Sequence, residues 1–129
     1  SRKPRDGRDW DLAKGIIEAA RELGNLGADL YKAEVPLYGK GGEKAVRDEC
    51  AALTSIINGP WVVLSSGVSP NDFPGAVTWA CKEGASGFLA GRAVWRNSIG
   101  APDIDKALRE DAIPRLQRLC DTVDKAVSA

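Results

Sequence analysis

Three apolar stretches of this 129-residue chain each end in side chains that can do chemistry. Lys32 lies in "ADLYKAEVP" (28–36), a serine pair follows "WVVL" (61–64), and Gly91-Arg92 follows "SGFLA". An uncompensated charge within a buried strand costs several kcal/mol. Lys32 is therefore paired with a carboxylate, exposed in a cavity, or placed there as a nucleophile.

The second and third stretches supply donors for an oxyanion. Ser65 and Ser66 offer hydroxyls, Gly67 and Gly91 let backbone N–H groups approach closely, and Arg92 can make a bidentate contact. These five residues predict an anion site, and a short helix after Arg92 would direct its positive end there. Each has a structural alternative, since the serines could simply end a strand and Arg92 could cap a helix or form an ion pair.

The elements that position these groups alternate along the chain. Short apolar strands around 29–35, 61–65 and 87–91 are separated by predicted helices over 9–24, 43–58 and 69–84. A short extra turn over 93–100 and a helical tail over 102–127 follow, with a break or kink expected at Pro114. The expected buried stripes are Leu12, Ile16, Ala20 and Leu23; Val46, Cys50, Leu53 and Ile57; and Ile113, Leu116, Leu119 and Val123.

Helix boundaries and small core residues can also be predicted. Gly24 is expected to cap the first helix, and Ser69 to cap the third, with Pro74 in its first turn. Cys50, Cys81 and Cys120 are too widely spaced for a metal knuckle, and we expect them to be reduced and buried in the core.

This alternation predicts an α/β fold with a parallel sheet covered by helices and right-handed crossovers. An open doubly wound sheet and the last part of a (β/α)8 barrel both fit, although a barrel takes about 250 residues. Period-two alternation places Leu30, Lys32 and Glu34 on one face of the first strand, which would line a barrel interior. In either architecture, active groups lie at the carboxyl ends of the strands.

Composition narrows the class of function. The 18 basic and 18 acidic residues cancel, so no charge excess favours nucleic acid or an anionic membrane as a partner. No apolar run approaches the roughly 20 residues of a membrane helix, and no signal peptide is visible. The chain also has no histidine, the commonest general base and metal ligand. Because the three cysteines are spaced neither for a disulfide framework nor for a metal knuckle, we expect reduced thiols and a cytoplasmic protein.

Three motifs carry a family resemblance. "DLYKAEVP", "LSSGVSPNDFPGAV" and "GASGFLAGRAVWRNSIG" resemble the class I aldolases that include tagatose-1,6-bisphosphate and sulfofructosephosphate aldolases. The likeness runs over most of the chain, and implies that residues 1–129 are the C-terminal half of one (β/α)8 TIM barrel, with strands six to eight. The first five strands, which carry the family's proton-shuttling acid, have no counterpart here, so this segment alone is expected to be inactive.

The resemblance also assigns roles. It places the Schiff-base lysine at Lys32, the phosphate- or sulfonate-binding positions at Ser65, Ser66 and Gly67, and the anion-binding arginine at Arg92. It implies a lyase that cleaves a ketose phosphate to dihydroxyacetone phosphate and a three-carbon aldehyde. The substrate would be of the tagatose or fructose 1,6-bisphosphate or the sulfofructose 1-phosphate type. No cofactor or metal is implied.

Two alternative interpretations remain open, and the number of strands leads to a prediction about oligomeric state. Lys32 could be a structural partner of Glu34 or of a carboxylate on a missing strand, and the chain could be a non-catalytic barrel fragment that binds anions or another polypeptide. Because three strands leave two sheet edges without a neighbour, we expect pairing with the rest of the barrel or a second copy, as a homo-oligomer.

Overall fold

The computed structural model describes residues 5–129 as a three-stranded sheet with helices. None of the helices in this range has the length and apolar character needed to cross a membrane. In chain order the elements are α1 (Leu12–Leu23), β1 (Tyr31–Glu34), α2 (Glu43–Ile56), β2 (Trp61–Leu64), α3 (Phe73–Lys82), β3 (Gly87–Leu89), α4 (Arg92–Trp95), α5 (Ile104–Ala107) and α6 (Ile113–Ser128). A 3-10 turn, Pro36–Gly39, follows β1, and a π turn, Leu108–Ala112, joins α5 to α6.

The three strands are parallel and adjacent in the order β1-β2-β3, which confirms that part of the prediction. Lys32 is level with Val62, which is level with Gly87. Glu34 is level with Leu64, which is level with Leu89. This sequential order is consistent with an arc of an aldolase barrel, and it brings the three carboxyl ends to one edge.

The two faces of the sheet differ in burial. Residues that point toward the helices are fully enclosed: Ala33 is 3% exposed, Trp61 1% and Val63 0%. The other face is more open, since Lys32 is exposed and Leu89 is 42% exposed, although Val62 beside Lys32 is only 7% exposed. The predicted period-two alternation of β1 is therefore confirmed.

Helix α2 packs as predicted, with Val46, Cys50, Leu53 and Ile57 all buried. In α1, Ile16 and Ala20 are buried, but Leu23 is 51% exposed and was wrongly assigned to the core. Leu23 is the last residue of α1, at the end of the helix where the chain turns toward β1.

The tail stays helical through Pro114, but a π turn precedes the proline where a break or kink was predicted. The Ile113 N–H donates to Leu108 O, five residues back, just ahead of the proline that has no N–H. The predicted stripe is partly wrong, since Ile113 and Leu116 are 60% and 42% exposed. Leu119 is buried and Val123 packs against the core as predicted, and the rest of the buried face is formed by the small residues Ala112 and Ala126.

Two smaller predictions also need correction. Helix α3 begins at Phe73 instead of directly after Ser69, and Pro74 does lie in its first turn. Ser69 caps the turn before it, where its Oγ accepts from the Asp72 N–H at 3.1 Å.

Cys120 is exposed on α6, whereas Cys50 and Cys81 are buried as expected. Burial raises the pKa of Cys50 to about 12, which keeps this thiol protonated and unreactive.

Truncating the core should destabilise the protein far more than truncating its surface. Leu53→Ala removes a side chain that is 0% exposed, so we expect a loss of about 2–5 kcal/mol in the free energy of unfolding. Leu26→Ala is the matched control, because Leu26 is 73% exposed, and should cost less than about 0.5 kcal/mol. Equilibrium urea unfolding measures both changes. Equal losses would contradict the core described here.

Candidate active site

An open cavity of about 980 Å³ lies at the carboxyl edge of the sheet. All six residues predicted for the site line it: Lys32, Ser65, Ser66, Gly67, Gly91 and Arg92. Its remaining walls are Leu64, Val68, Ser69, Pro70, Leu89, Ala90, Ala93, Trp95 and Arg96. The three strand ends therefore converge on one space, although they are far apart in sequence.

Lys32 reaches this cavity from the open face of β1. Within residues 5–129, no side-chain hydrogen bond or salt bridge holds its ammonium group. Glu34 is half-buried and does not line the cavity, and it already takes part in another interaction. The amine is thus accessible to a ligand in the cavity.

The serine pair lies in a tight turn that follows β2 and is hydrogen-bonded to β3. The Ser65 N–H donates to Leu89 O at 3.3 Å, which extends the β2–β3 pairing by one residue. The Val68 N–H donates back to Ser65 O at 3.0 Å and closes a four-residue turn. Gly67 has a φ of +74° at the third position of this turn, a conformation that favours glycine. The turn leaves Ser65, Ser66 and Gly67 along the cavity wall.

Arg92 begins α4, a single turn that the Val94 N–H closes by donating to Gly91 O at 2.8 Å. A helix this short has little macrodipole, so the expected contribution from a helix end is not supported. Arg115 of α6 holds the turn in place, because its Nη1 donates to Ala93 O at 3.5 Å and its Nη2 contacts Asp111 at 2.9 Å. Neither of the cavity's arginines has an ion-pair partner among the described residues.

The cavity is electropositive. Three cations line it (Lys32, Arg92 and Arg96), and no aspartate or glutamate of the described residues does so. Arg92 and Arg96 lie four residues apart on successive turns, where like charges repel unless an anion lies between them. Lys32, the two arginines and the nearby hydroxyls thus offer the positive charge and hydrogen-bond donors that an anion requires.

Sequence reasoning missed some residues around this cavity. Arg96 and Ser69 line it but were not predicted, although the spacing of Arg96 from Arg92 was a readable signal. Trp95 also lines the wall and is 41% exposed. Within residues 5–129, no group of three or more Cys, Asp or Glu side chains is arranged to hold a metal ion.

Comparison with known proteins shows the family of this chain. Residues 2–97 match the model of the DeoC/LacD family aldolases, and the chain belongs to that family. It is 34% identical over 97 residues to the tagatose 1,6-diphosphate aldolase of Streptococcus pneumoniae strain ATCC BAA-255 / R6, an alignment covering 64% of this chain and 30% of that protein. The same enzyme from the serotype 4 strain ATCC BAA-334 / TIGR4 gives the same identity and coverage. The chain thus spans about 30% of the length of these relatives.

The charge of the cavity predicts selective anion binding. Arg92→Gln and Arg96→Gln should each weaken the binding of inorganic phosphate, by about tenfold for Arg92, because each removes a charge-assisted donor. Arg21→Gln is the matched control, since Arg21 is exposed on α1 and does not line the cavity. Isothermal titration calorimetry at low salt measures the affinities. Equal phosphate affinity in all three variants would show that the arginines do not form the anion site.

Proposed function

We propose that this chain carries the Schiff-base lysine and an anion site of a class I aldolase that cleaves a ketose phosphate. The observation that supports this most is that the Lys32 amine and the donors at the ends of β2 and β3 line one electropositive cavity. Membership of the DeoC/LacD aldolase family supports the carbon–carbon lyase class.

We further propose that β1, β2 and β3 are strands six, seven and eight of a (β/α)8 barrel, and that residues 1–129 are the C-terminal part of that domain. The sequential parallel order and the open sheet face support this arrangement, because in a barrel that face lines the interior. The other strands would then supply the acid–base group, and this segment alone would be inactive. A cytoplasmic homo-oligomer remains part of the proposal.

In the proposed reaction, the neutral Lys32 amine attacks the ketone carbon of the substrate, and loss of water leaves an iminium. The iminium withdraws electrons as the bond between C3 and C4 breaks and a base takes the C4 hydroxyl proton. The aldehyde product leaves, and the remaining enamine gains a proton at C3. Water then hydrolyses the new iminium, which releases dihydroxyacetone phosphate and restores the lysine.

Ser65, Ser66, Gly67, Gly91 and Arg92 are proposed to hold the phosphate or sulfonate of the substrate. Arg92 supplies the charge, and the hydroxyls and backbone N–H groups supply directed donors. Fixing the anion at one wall would hold the ketone carbon near the Lys32 Nζ and reduce the entropic cost of reaction. The substrate class is a ketose phosphate of the tagatose or fructose 1,6-bisphosphate or the sulfofructose 1-phosphate type.

The alternative function, a non-catalytic anion-binding or polypeptide-binding fragment, is less favoured. The family comparison supports an aldolase, and the Lys32 side chain lines the open cavity. In the alternative, Lys32 would contribute only positive charge, which arginine could supply equally well. This difference gives a direct test.

Lys32→Arg in the complete protein should abolish turnover while retaining the positive charge, because a guanidinium is not neutral enough to attack a ketone. Lys40→Arg is the matched control, since Lys40 is exposed on the loop after β1 and does not line the cavity. The measurements are aldolase activity and the mass added by borohydride with dihydroxyacetone phosphate. Normal turnover by Lys32→Arg, or an adduct in that variant as large as in the parent protein, would refute the assignment.

A further inference from the structure

Two residues directly after β1 adopt a backbone conformation that side chains rarely adopt. Leu37 and Tyr38 have φ values of +57° and +53°, and they are the non-glycine residues with positive φ in the described part of the chain. A non-glycine residue in the left-handed region is destabilising, and it persists where the surrounding structure enforces that conformation. The 3-10 turn Pro36–Gly39 that contains them follows the strand that carries Lys32.

Neighbouring hydrogen bonds hold this turn in place. The Tyr38 N–H donates to Val35 O at 3.3 Å, and the Lys40 N–H donates to Leu37 O at 2.9 Å. Pro36 and Val35 are fully buried, which anchors the start of the turn to the core. Tyr38 itself is 44% exposed, so burial of its side chain does not account for the strained backbone.

The strained turn does place the Tyr38 ring on Gly67. A Cβ atom built on Gly67 would lie 2.7 Å from Cε1 and 2.9 Å from Cδ1 of that ring, which is closer than real Cβ contacts. Gly67 therefore has two reasons to be glycine, its φ of +74° and the ring against it. The ring thus links the loop after the lysine strand to the turn that carries the serine pair.

We propose that Tyr38 is a positioning residue for the anion site and acts through Gly67. Its ring packs on Gly67 and so fixes the turn Ser65–Val68, which leaves Ser65, Ser66 and Gly67 along the cavity wall. Tyr38 does not itself line the cavity, so it acts without touching the substrate. This inference rests on the anion-binding part of the proposed function and does not depend on the Schiff base.

A merely structural role is the competing account, because Tyr38 and Trp10 also line a separate groove next to α1. In that account, removing the ring would lower thermal stability without changing affinity for an anion. The contact atoms Cε1 and Cδ1 belong to the ring and not to the hydroxyl. The positioning account therefore predicts that phenylalanine can replace Tyr38 and alanine cannot.

The test uses Tyr38→Phe and Tyr38→Ala in the complete protein, with inorganic phosphate as the probe. Tyr38→Ala should weaken phosphate binding and raise KM for the ketose phosphate by about tenfold, with kcat changed less than about threefold. Tyr38→Phe should stay within about twofold of the parent protein in all three quantities. Phosphate affinity of Tyr38→Ala equal to that of the parent protein would overturn the proposal, whatever its thermal stability.

Gly67→Ala completes a double-mutant cycle. In the parent protein its methyl group must displace the ring, whereas with Tyr38→Ala that clash is absent and only the backbone strain remains. Gly67→Ala should therefore reduce phosphate affinity by a smaller factor in the Tyr38→Ala background than in the parent protein. We expect the two factors to differ by at least about threefold. Losses that simply multiply would contradict coupling through this contact. If phosphate binding follows these predictions but no adduct forms at Lys32, the Schiff-base function fails and Tyr38 positioning stands.

Discussion

Parallel pairing of β1 and β2 sets Lys32 level with Val62, and pairing of β2 and β3 sets Val62 level with Gly87. Because all three strands run in one direction, the residues after each strand must emerge at the same edge of the sheet. A shift of one residue would turn Lys32 to the helix-covered face, where its charge would be buried. The backbone ladder, more than any side-chain contact, therefore brings the lysine and the anion donors to one cavity.

The difference between the two faces explains how an apolar strand tolerates a lysine. The helix-covered face contains Ala33, Trp61 and Val63, all nearly inaccessible to water, while Lys32 points to the open face and remains exposed. The ammonium therefore does not bear the several kcal/mol that full burial would cost. In a complete barrel this face would line the interior, so further residues would enclose the lysine and affect its reactivity.

Much of this arrangement could be predicted from the sequence, because the alternation of strands and helices fixes which residues follow each strand. Lys32 and Arg92 were placed correctly at the cavity for that reason. Helix packing was harder, since apolar residues occur on two faces of α6 and the small Ala112 was buried in preference to Ile113. The role proposed for Tyr38 could not be predicted, because neither a left-handed tyrosine nor its contact with Gly67 has a sequence signature.

The central claim is that Lys32 is the nucleophile and that the opposite wall holds the anion of the substrate. A crystal structure of the complete protein, reduced with borohydride in the presence of dihydroxyacetone phosphate, tests both parts in one measurement. We predict continuous density from the Lys32 Nζ to the former ketone carbon, with the phosphate contacting Arg92 and the turn at Ser65–Gly67. Density joined to a different lysine, or a phosphate outside this cavity, would contradict the account.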